Sequence, residues 1–308
     1  MFGLGKARSP VQPLACLLSE YGYTLVAVED GKHIRFCEHH HFNELALNLI
    51  AKGIAQDVER YNLYGHPIQI ILSPGLYQLL LMDALDVAED EMAKAIRWQL
   101  KGMIDFPLND IAIDTFLVPP HGAGGLRKTV FVAVTPQIAL INKVDLVEHC
   151  FLKVSSVSIA ELALANLLPF APISPDSPTI VVSYDSDVCR LHVFYEGNLY
   201  LSRVLSISKS ITQPFSPAKQ DMVLEIQRSI DYCLIELKLP EPKKILFTPS
   251  FYEASDLFSL LQEDLEKEVY LLDVNAYFTS DQPIAPEVMA EAFYAIGGAM
   301  MLMKANGS

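Results

Sequence analysis

The chain has 308 residues, of which 51% are hydrophobic, and a formal net charge of −14. That length and hydrophobic content allow two ordinary domains, each with its own core, and exclude a largely disordered chain. The acidic balance repels a phosphate backbone, so we expect no nucleic-acid partner.

Cysteine usage and hydropathy indicate a cytoplasmic protein. The cysteine count is odd and no CxxC pair occurs, which argues against a disulfide framework. The longest late uncharged stretch, AFYAIGGAMMLM, has about 12 residues, where a spanning helix needs ~20. We expect a protein that reaches a membrane only through partners. The cysteines are Cys16, Cys37, Cys150, Cys189 and Cys233.

The first half predicts a hairpin, a helix and a strand. In YTLVAVEDGKHIRFCEHH two apolar runs flank Glu29-Asp30-Gly31-Lys32, which is a typical hairpin turn. Apolar residues recur at helical spacing in 42–61, and 67–73 is a short apolar strand. The apolar run 14–18 is too short for the apolar region of a signal peptide.

The stretch RWQLKGMIDFPLNDIAIDTF, residues 97–116, has no nucleophile, metal-ligand set or phosphate loop. Met92, Ile96, Leu100 and Met103 are spaced by four, four and three residues, which predicts one buried helical stripe. Pro107 ends that helix because proline cannot continue the hydrogen-bond ladder. A strand, a glycine-containing loop, a second strand and a helix follow.

The second half starts after PFAPISPDSP, a proline-rich linker at 169–178. Three strands come next, with a clear turn at 196–198. Ser216 and Pro217 are a typical start for a long helix. The predicted order is then strand, helix, strand and a last helix from Pro286.

Both halves open with strands joined by tight turns and continue with alternating helices and strands. This pattern indicates mixed α/β sheets covered by helices. We therefore expect two related domains. Residues 1–83 and 151–170 would form the core of the first, 84–150 an insert within it, and 178–308 the second domain.

Three stretches resemble the PilM/MshI-like proteins of type IV and MSHA pilus biogenesis, in the actin-like ATPase superfamily. They are AIRWQLKGMIDFPLNDIAIDTFLV, LEIQRSIDYCLIEL and AFYAIGGAM. The MshI branch is the closer match in length and in its weakened nucleotide motifs. The resemblance implies the actin-like ATPase (ribonuclease H-like) fold, with an inserted subdomain of the 1C type in the first domain.

In proteins of that family, a groove beside the insert receives the short N-terminal tail of an inner-membrane protein. The resemblance therefore implies a non-enzymatic cytoplasmic scaffold, peripheral to the bacterial inner membrane, with a PilN-like or MshJ-like partner. It leaves a homodimer open. Packing of the insert's own core is the alternative role for each candidate partner-binding residue. These candidates are Arg97, Trp98, Ile104, Phe106 and Leu108.

An actin-like nucleotide site needs two hairpin turns around the phosphates, each with an aspartate for the metal. Glycine there lets backbone N–H groups approach the phosphates. The resemblance assigns the first turn to Asp30 and Gly31. The Asp-x-Gly of the second turn falls on residues 183–185, where Ser183 replaces the aspartate and Asp185 replaces the glycine.

The adenosine side departs from the family pattern as well. Its Gly-Gly pair falls on Pro249 and Ser250, and proline lacks an N–H and fixes φ. Gly297 could let a ligand approach, although tight helix packing is the simpler explanation. We expect a pseudo-ATPase without a cofactor. The alternatives are an ATPase that binds ATP and Mg²⁺, and a scaffold of type II secretion related to GspL.

The segment CEHHH raises the question of a metal. If it is extended, Cys37, His39 and His41 lie on one face of a strand, and zinc accepts both kinds of ligand. No fourth ligand is visible in the sequence, and histidines are common at strand edges. We therefore predict no metal site.

Overall fold

The computed structural model describes residues 13–43, 47–120, 128–185, 188–207, 216–248 and 255–306. In this part of the chain the strands form three sheets. The first sheet has the order β14-β3-β2-β1-β4-β8. Its strands are β1 (Leu14–Leu18), β2 (Gly22–Glu29), β3 (His33–His41), β4 (Pro67–Leu72), β8 (Lys153–Ile159) and β14 (Thr279–Ser280).

The second sheet repeats the central pattern of the first. Its order is β11-β10-β9-β12-β13, and β9 pairs parallel with β12 as β1 pairs with β4. The strands are β9 (Thr179–Asp185), β10 (Val188–Tyr195), β11 (Asn198–Leu205), β12 (Lys244–Phe247) and β13 (Glu268–Leu271). The two halves of the chain are therefore structurally related, as the element order predicted.

The insert is a small antiparallel sheet with the order β5-β7-β6. The strands are β5 (Gln78–Asp83), β6 (Ile111–Val118) and β7 (Thr129–Pro136). Because β5 pairs with β7 along its length, it belongs to the insert sheet and not to the core that the sequence assigned it to. The insert thus begins at β5, ahead of residue 84.

Helices cover the sheets on both faces. They are α1 (Leu47–Tyr61), α2 (Glu89–Ile96), α3 (Gln137–His149), α4 (Ala160–Leu167), α5 (Ala218–Ile235), α6 (Ser255–Leu265), α7 (Val274–Tyr277) and α8 (Pro286–Asn306). The stripe predicted from Met92 is buried as far as Leu100, but α2 gives way to a 3-10 turn at Arg97–Leu100. Met103 lies beyond it and is 49% exposed.

Two hairpin turns follow the sequence prediction closely. Asp30 and Gly31 join β2 to β3 with φ of 48° and 74°, and Glu196 and Gly197 join β10 to β11 with 49° and 76°. Positive φ at both central residues is the geometry of tight hairpin turns. Glycine at the second position adopts it without steric cost.

Helix α8 belongs to the second half in sequence but packs on the first sheet. A Cβ on Gly297 would lie 2.1 Å from the carbonyl oxygen of Ala163 in α4. A Cβ on Gly298 would lie 2.5 Å from Cγ1 of Ile71 in β4. These glycines let α8 sit tightly against α4 and the first sheet, which agrees with the packing explanation for Gly297.

A buried histidine in the second sheet predicts acid sensitivity. His192 is 3% exposed and its Nδ1 lies 3.1 Å from Oγ of Ser202. Burial, aided by the nearby charge of Arg190, lowers the pKa of His192 to about 3. In the unfolded chain His192 therefore becomes protonated near pH 6.5, whereas in the folded chain it stays neutral down to about pH 3. Stability is lost as pH falls from about 6.5 towards 3.

We expect His192→Gln to flatten this pH dependence. If the unfolded chain binds one more proton than the folded chain, the free energy of unfolding falls by about 1.4 kcal/mol per pH unit. The wild type should therefore lose roughly 2 kcal/mol more stability than the variant between pH 6.5 and 5. Urea unfolding at both pH values measures the difference. The exposed His149, changed to Gln, serves as the control. Parallel pH profiles for all three proteins would contradict the assignment.

Candidate functional site

A groove lies where the insert meets the first sheet, and we call it the insert groove. It runs between β6, which is the outer strand of the insert sheet, and β8, which is the outer strand of the first sheet. Helices α3 and α4 complete its walls. Its lining includes Ala112, Asp114, Phe116, Ala133, Thr135, Leu140, Val157, Ser158 and Leu162.

The insert sheet turns one face to this groove and the other to its own core. Ala112, Asp114 and Phe116 alternate along β6 and line the groove, since successive side chains point to opposite faces. The opposite face packs against α2 and the 3-10 turn. There Ile111 and Val132 join Met92, Ile96 and Leu100 in a separate buried cluster.

The residues predicted to bind a partner lie on that second face and do not line the groove. Ile104, Phe106 and Leu108 pack against the insert core. Arg97 is structural, because its Nη1 donates to the carbonyl oxygens of Leu108 (2.6 Å) and Ile111 (3.3 Å).

Trp98 projects from the same part of the insert and is 72% exposed. It does not line the insert groove either. The candidate residues lie in the 3-10 turns and the connecting loop that precede β6, and Ile104, Phe106 and Leu108 pack on the insert core from there.

The chemistry of the insert groove suits an extended peptide. Its cavity of about 200 Å³ is smaller than the ~300–1,000 Å³ of small-molecule pockets, so it fits a few side chains. The walls are mostly apolar. Ser158 of β8 also borders the groove and is 9% exposed. Asp114 is exposed beside the groove and favours a basic neighbour.

A second concavity, the interdomain cleft, lies between the two sheets. Its cavity is about 270 Å³. The first half contributes the β1–β2 turn at residues 19–22 and the loop 73–75 after β4. The second half contributes Tyr184, Arg190 and Thr248, and α8 adds Glu291 and Tyr294.

The two halves present matching backbone to the interdomain cleft. The N–H of Ser73 donates to the carbonyl oxygen of Leu18 (2.9 Å), and that of Thr248 donates to Val182 (3.0 Å). Each residue follows a strand that is parallel to the first strand of its half. A sequence signal for this symmetry exists, because ILSPGLY at 71–77 matches LFTPSFY at 246–252. The prediction of two related halves did not rest on this repeat.

Comparison with solved structures identifies the fold. The PilM–PilN type IV pilus biogenesis complex matches with a TM-score of 0.68 and 18% identity, over 94% of this chain and 97% of the other. A Bacteroides thetaiotaomicron protein of unknown function, described as having an actin-like ATPase fold, matches with a TM-score of 0.54 and 12% identity, over 91% and 96%. The chain has the actin-like ATPase fold.

A third match is the cytoplasmic domain of EpsL, an inner-membrane component of the type II secretion system of Vibrio cholerae. Its TM-score is 0.50 at 11% identity, over 96% of this chain and 94% of the other. No protein-family model matches the sequence, and a search of curated proteins finds no match. Among the described residues, no helix has both the length and the apolar character needed to cross a membrane.

The actin-like fold shows where the phosphate turns would lie, and the first one is not at Asp30 and Gly31. Those residues join β2 to β3, and they do not line the interdomain cleft. The turn that does so is the β1–β2 turn, with Ser19 directly after the strand. The expectation shifted by one hairpin because the five-residue strand β1 was not recognised.

The second actin-like turn carries the same substitution. Ser183 follows Val182 in β9 as Ser19 follows Leu18 after β1, so a serine stands at equivalent positions in both halves. Ser183 is 2% exposed and its Oγ has no hydrogen-bond partner. Asp185 ends β9, and Pro249 and Ser250 lie outside the described residues.

The described residues of the cleft fit Mg²⁺–ATP poorly. Mg²⁺ prefers carboxylates and phosphate oxygens as ligands, and the two equivalent positions hold hydroxyls. The β1–β2 turn carries Glu20 and Tyr21 where a phosphate would approach the backbone.

Cys37, His39 and His41 share one face of β3, but they do not form a metal-ligand group in the described structure. His39 and His41 line the interdomain cleft. The Nδ1 of His39 lies 2.9 Å from Oγ1 of Thr24, so this ring is already hydrogen-bonded. His40 lies on the opposite face of β3 and has different neighbours.

Proposed function

We propose that this protein is a non-enzymatic scaffold of a type IV pilus machine, of the MSHA type by sequence resemblance. It docks the N-terminal cytoplasmic tail of a PilN-like or MshJ-like inner-membrane protein in the insert groove. It would thereby lie at the cytoplasmic face of the inner membrane through its partner. The observation that carries the proposal is the insert groove itself, an apolar channel between two outer strands at the boundary of insert and core.

The recognition mode follows from the two strands. Within the described residues, β6 has a strand partner on one side only, and so does β8. Outer strands offer backbone donors and acceptors to an added chain, and alternate side chains of that chain enter pockets. The likeness to a PilM–PilN complex supports a partner of the PilN kind.

Titration with a peptide tests the proposal. The probe is a fluorescein-labelled synthetic peptide with the sequence of the cytoplasmic N-terminal tail of a PilN-like protein from the same genome. We expect saturable binding by anisotropy, with a Kd of about 1 μM, equivalent to roughly −8 kcal/mol. A scrambled peptide is the control. The proposal fails if the authentic tail binds no better than the scrambled one.

The alternative hypothesis, a scaffold of type II secretion, is supported by the likeness to the EpsL cytoplasmic domain. The same assay distinguishes the two functions. A tail from a pilus protein and a peptide from a secretion-system partner can compete for the insert groove, and the tighter one identifies the machinery. Analytical ultracentrifugation of the same samples shows whether the scaffold is a homodimer.

We also propose that the interdomain cleft has lost nucleotide binding, which makes the protein a pseudo-ATPase. The paired serines, Ser19 and Ser183, leave Mg²⁺ without its expected carboxylates. Titration calorimetry with ATP and Mg²⁺ should give no binding heat at millimolar nucleotide. The sample must show a sharp thermal unfolding transition. Micromolar binding would restore the ATPase alternative and leave the peptide-docking proposal to be judged separately.

A further inference from the structure

The face of β3 that points away from the interdomain cleft carries a second set of possible metal ligands. Glu38 and His40 alternate on this face, and α1 packs over it with Asp57. One ligand atom from each of the three residues lies within 4.8 Å of the other two. The set combines an imidazole with two carboxylates, which is a ligand chemistry that zinc accepts.

The contact between His40 and Asp57 is unexplained by hydrogen bonding. Nε2 of His40 lies 3.6 Å from Oδ2 of Asp57, which is longer than a hydrogen bond, and Nε2 is buried without a partner. Two ligands of one zinc ion, each ~2.1 Å from it in tetrahedral geometry, lie about 3.4 Å apart. The observed separation is close to that distance.

Neighbouring side chains hold the carboxylates in place. The hydroxyl of Tyr23 donates to Oδ2 of Asp57 (2.6 Å). Arg60 Nη1 donates to Oε1 of Glu38 (3.1 Å), and the hydroxyl of Tyr61 donates to the same oxygen. Both bonds to Glu38 use Oε1, so they leave Oε2 for a metal. Supporting hydrogen bonds of this kind orient ligands in metal sites.

The burial of Asp57 is the electrostatic argument for a cation. Asp57 is only 4% exposed, and the Tyr23 hydroxyl that donates to its carboxylate is neutral and does not balance the negative charge. Burying a carboxylate is costly unless a positive charge accompanies it, and a bound cation would supply such a charge. The Tyr23 ring stacks on His40 with centroids 4.9 Å apart, which fixes the imidazole beside the carboxylate.

We propose that Glu38, His40 and Asp57 form a zinc-binding site between β3 and α1, with water as the fourth ligand. The His40 side chain is 39% accessible, whereas its Nε2, the ligand atom, is buried. The site lies on the opposite side of the first sheet from the interdomain cleft. The ion would link β3 to α1 and stabilise the first domain.

The test uses the full chain after chelator treatment and dialysis, with zinc chloride as the titrant in calorimetry. We expect one zinc ion per chain in the wild type and loss of that binding in His40→Ala. Tyr23→Phe, which removes the bond to Asp57, should weaken binding about 10–100-fold. Zinc should raise the thermal midpoint of the wild type but not that of His40→Ala, because a ligand stabilises only the fold that binds it.

The neighbouring histidines supply matched controls. His39→Ala and His41→Ala remove imidazoles on the opposite face of the same strand, and both should bind zinc as the wild type does. A crystal of the zinc complex should show an anomalous peak between Glu38, His40 and Asp57. Absence of zinc binding by the wild type, or equal binding by His40→Ala, would overturn the proposal.

Discussion

Replacing Gly297 by alanine should destabilise the protein by about 2–3 kcal/mol, although alanine is the better helix former. The added Cβ would lie 2.1 Å from the carbonyl oxygen of Ala163, and a backbone atom inside α4 cannot rotate away. Helix propensity alone would favour alanine by ~1 kcal/mol. Overpacking costs typically ~1–3 kcal/mol or more, so the clash outweighs the propensity gain. Urea unfolding followed by circular dichroism measures the difference.

Gly298→Ala is the matched control for this prediction. It gains the same propensity in the same helix, but its Cβ would meet side-chain atoms of Ile71 and Ala15 and not a backbone atom. We expect a smaller loss than for Gly297→Ala. Equal or greater stability of the Gly297→Ala protein would show that α8 does not pack on α4 as described.

Placing a charge in the insert groove should abolish docking of the peptide tail. Leu140 of α3 is partly buried in the groove wall, and Leu140→Arg puts a guanidinium into that apolar channel. Arginine also repels a basic tail that Asp114 would attract. We expect at least a tenfold rise in the Kd of the labelled peptide, equivalent to about 1.4 kcal/mol. Anisotropy titration of the variant against the wild type measures it.

Trp98→Ala provides the comparison on the other side of the insert. Trp98 was a partner-binding candidate from the sequence, but it is exposed and outside the insert groove. We expect its loss to leave the Kd of the tail unchanged. If Trp98→Ala weakens binding while Leu140→Arg does not, the docking surface lies on the far face of the insert. Thermal unfolding of both variants checks that they are folded.

Strong local signals explain what could be predicted from the sequence. The turns at Asp30-Gly31 and Glu196-Gly197 form as expected. A tight hairpin turn needs positive φ at two successive residues, and few residue pairs adopt it, so such a pair is a strong local signal. The helices and strands of the second half follow the predicted order, except that the short elements α7 and β14 were not predicted. The two-domain actin-like fold, suggested by element order and by resemblance, agrees with the solved structures.

The remaining errors have physical causes. β1 is a five-residue strand buried on both faces, so it lacks the polar–apolar alternation that identifies a strand. Missing it moved the first phosphate-type turn to the wrong hairpin. In the insert, the face of a strand that reaches solvent depends on what packs against it. Ile104 and Phe106 lie in an irregular loop before β6, so local spacing could not show that they pack on the insert core.

The insert groove could not be predicted from any one segment. Its walls come from β6, β7, β8, α3 and α4, and only the assembled fold brings residues such as Ala112, Leu140 and Leu162 together. The same holds for the proposed zinc site. Sequence alone grouped the alternating residues Cys37, His39 and His41, whereas the contribution of Asp57 from α1 depends on helix packing.

The return of α8 and β14 to the first half has a consequence for how the chain can be divided. β14 pairs with β3, and α8 covers Ala15 and Ile71 of the first sheet. A fragment cut at the proline-rich linker would expose that apolar surface and would leave α8 without its main contacts. The two halves should therefore not be expressible as separate folded fragments, whereas co-expression of both pieces should let them reassemble into one particle.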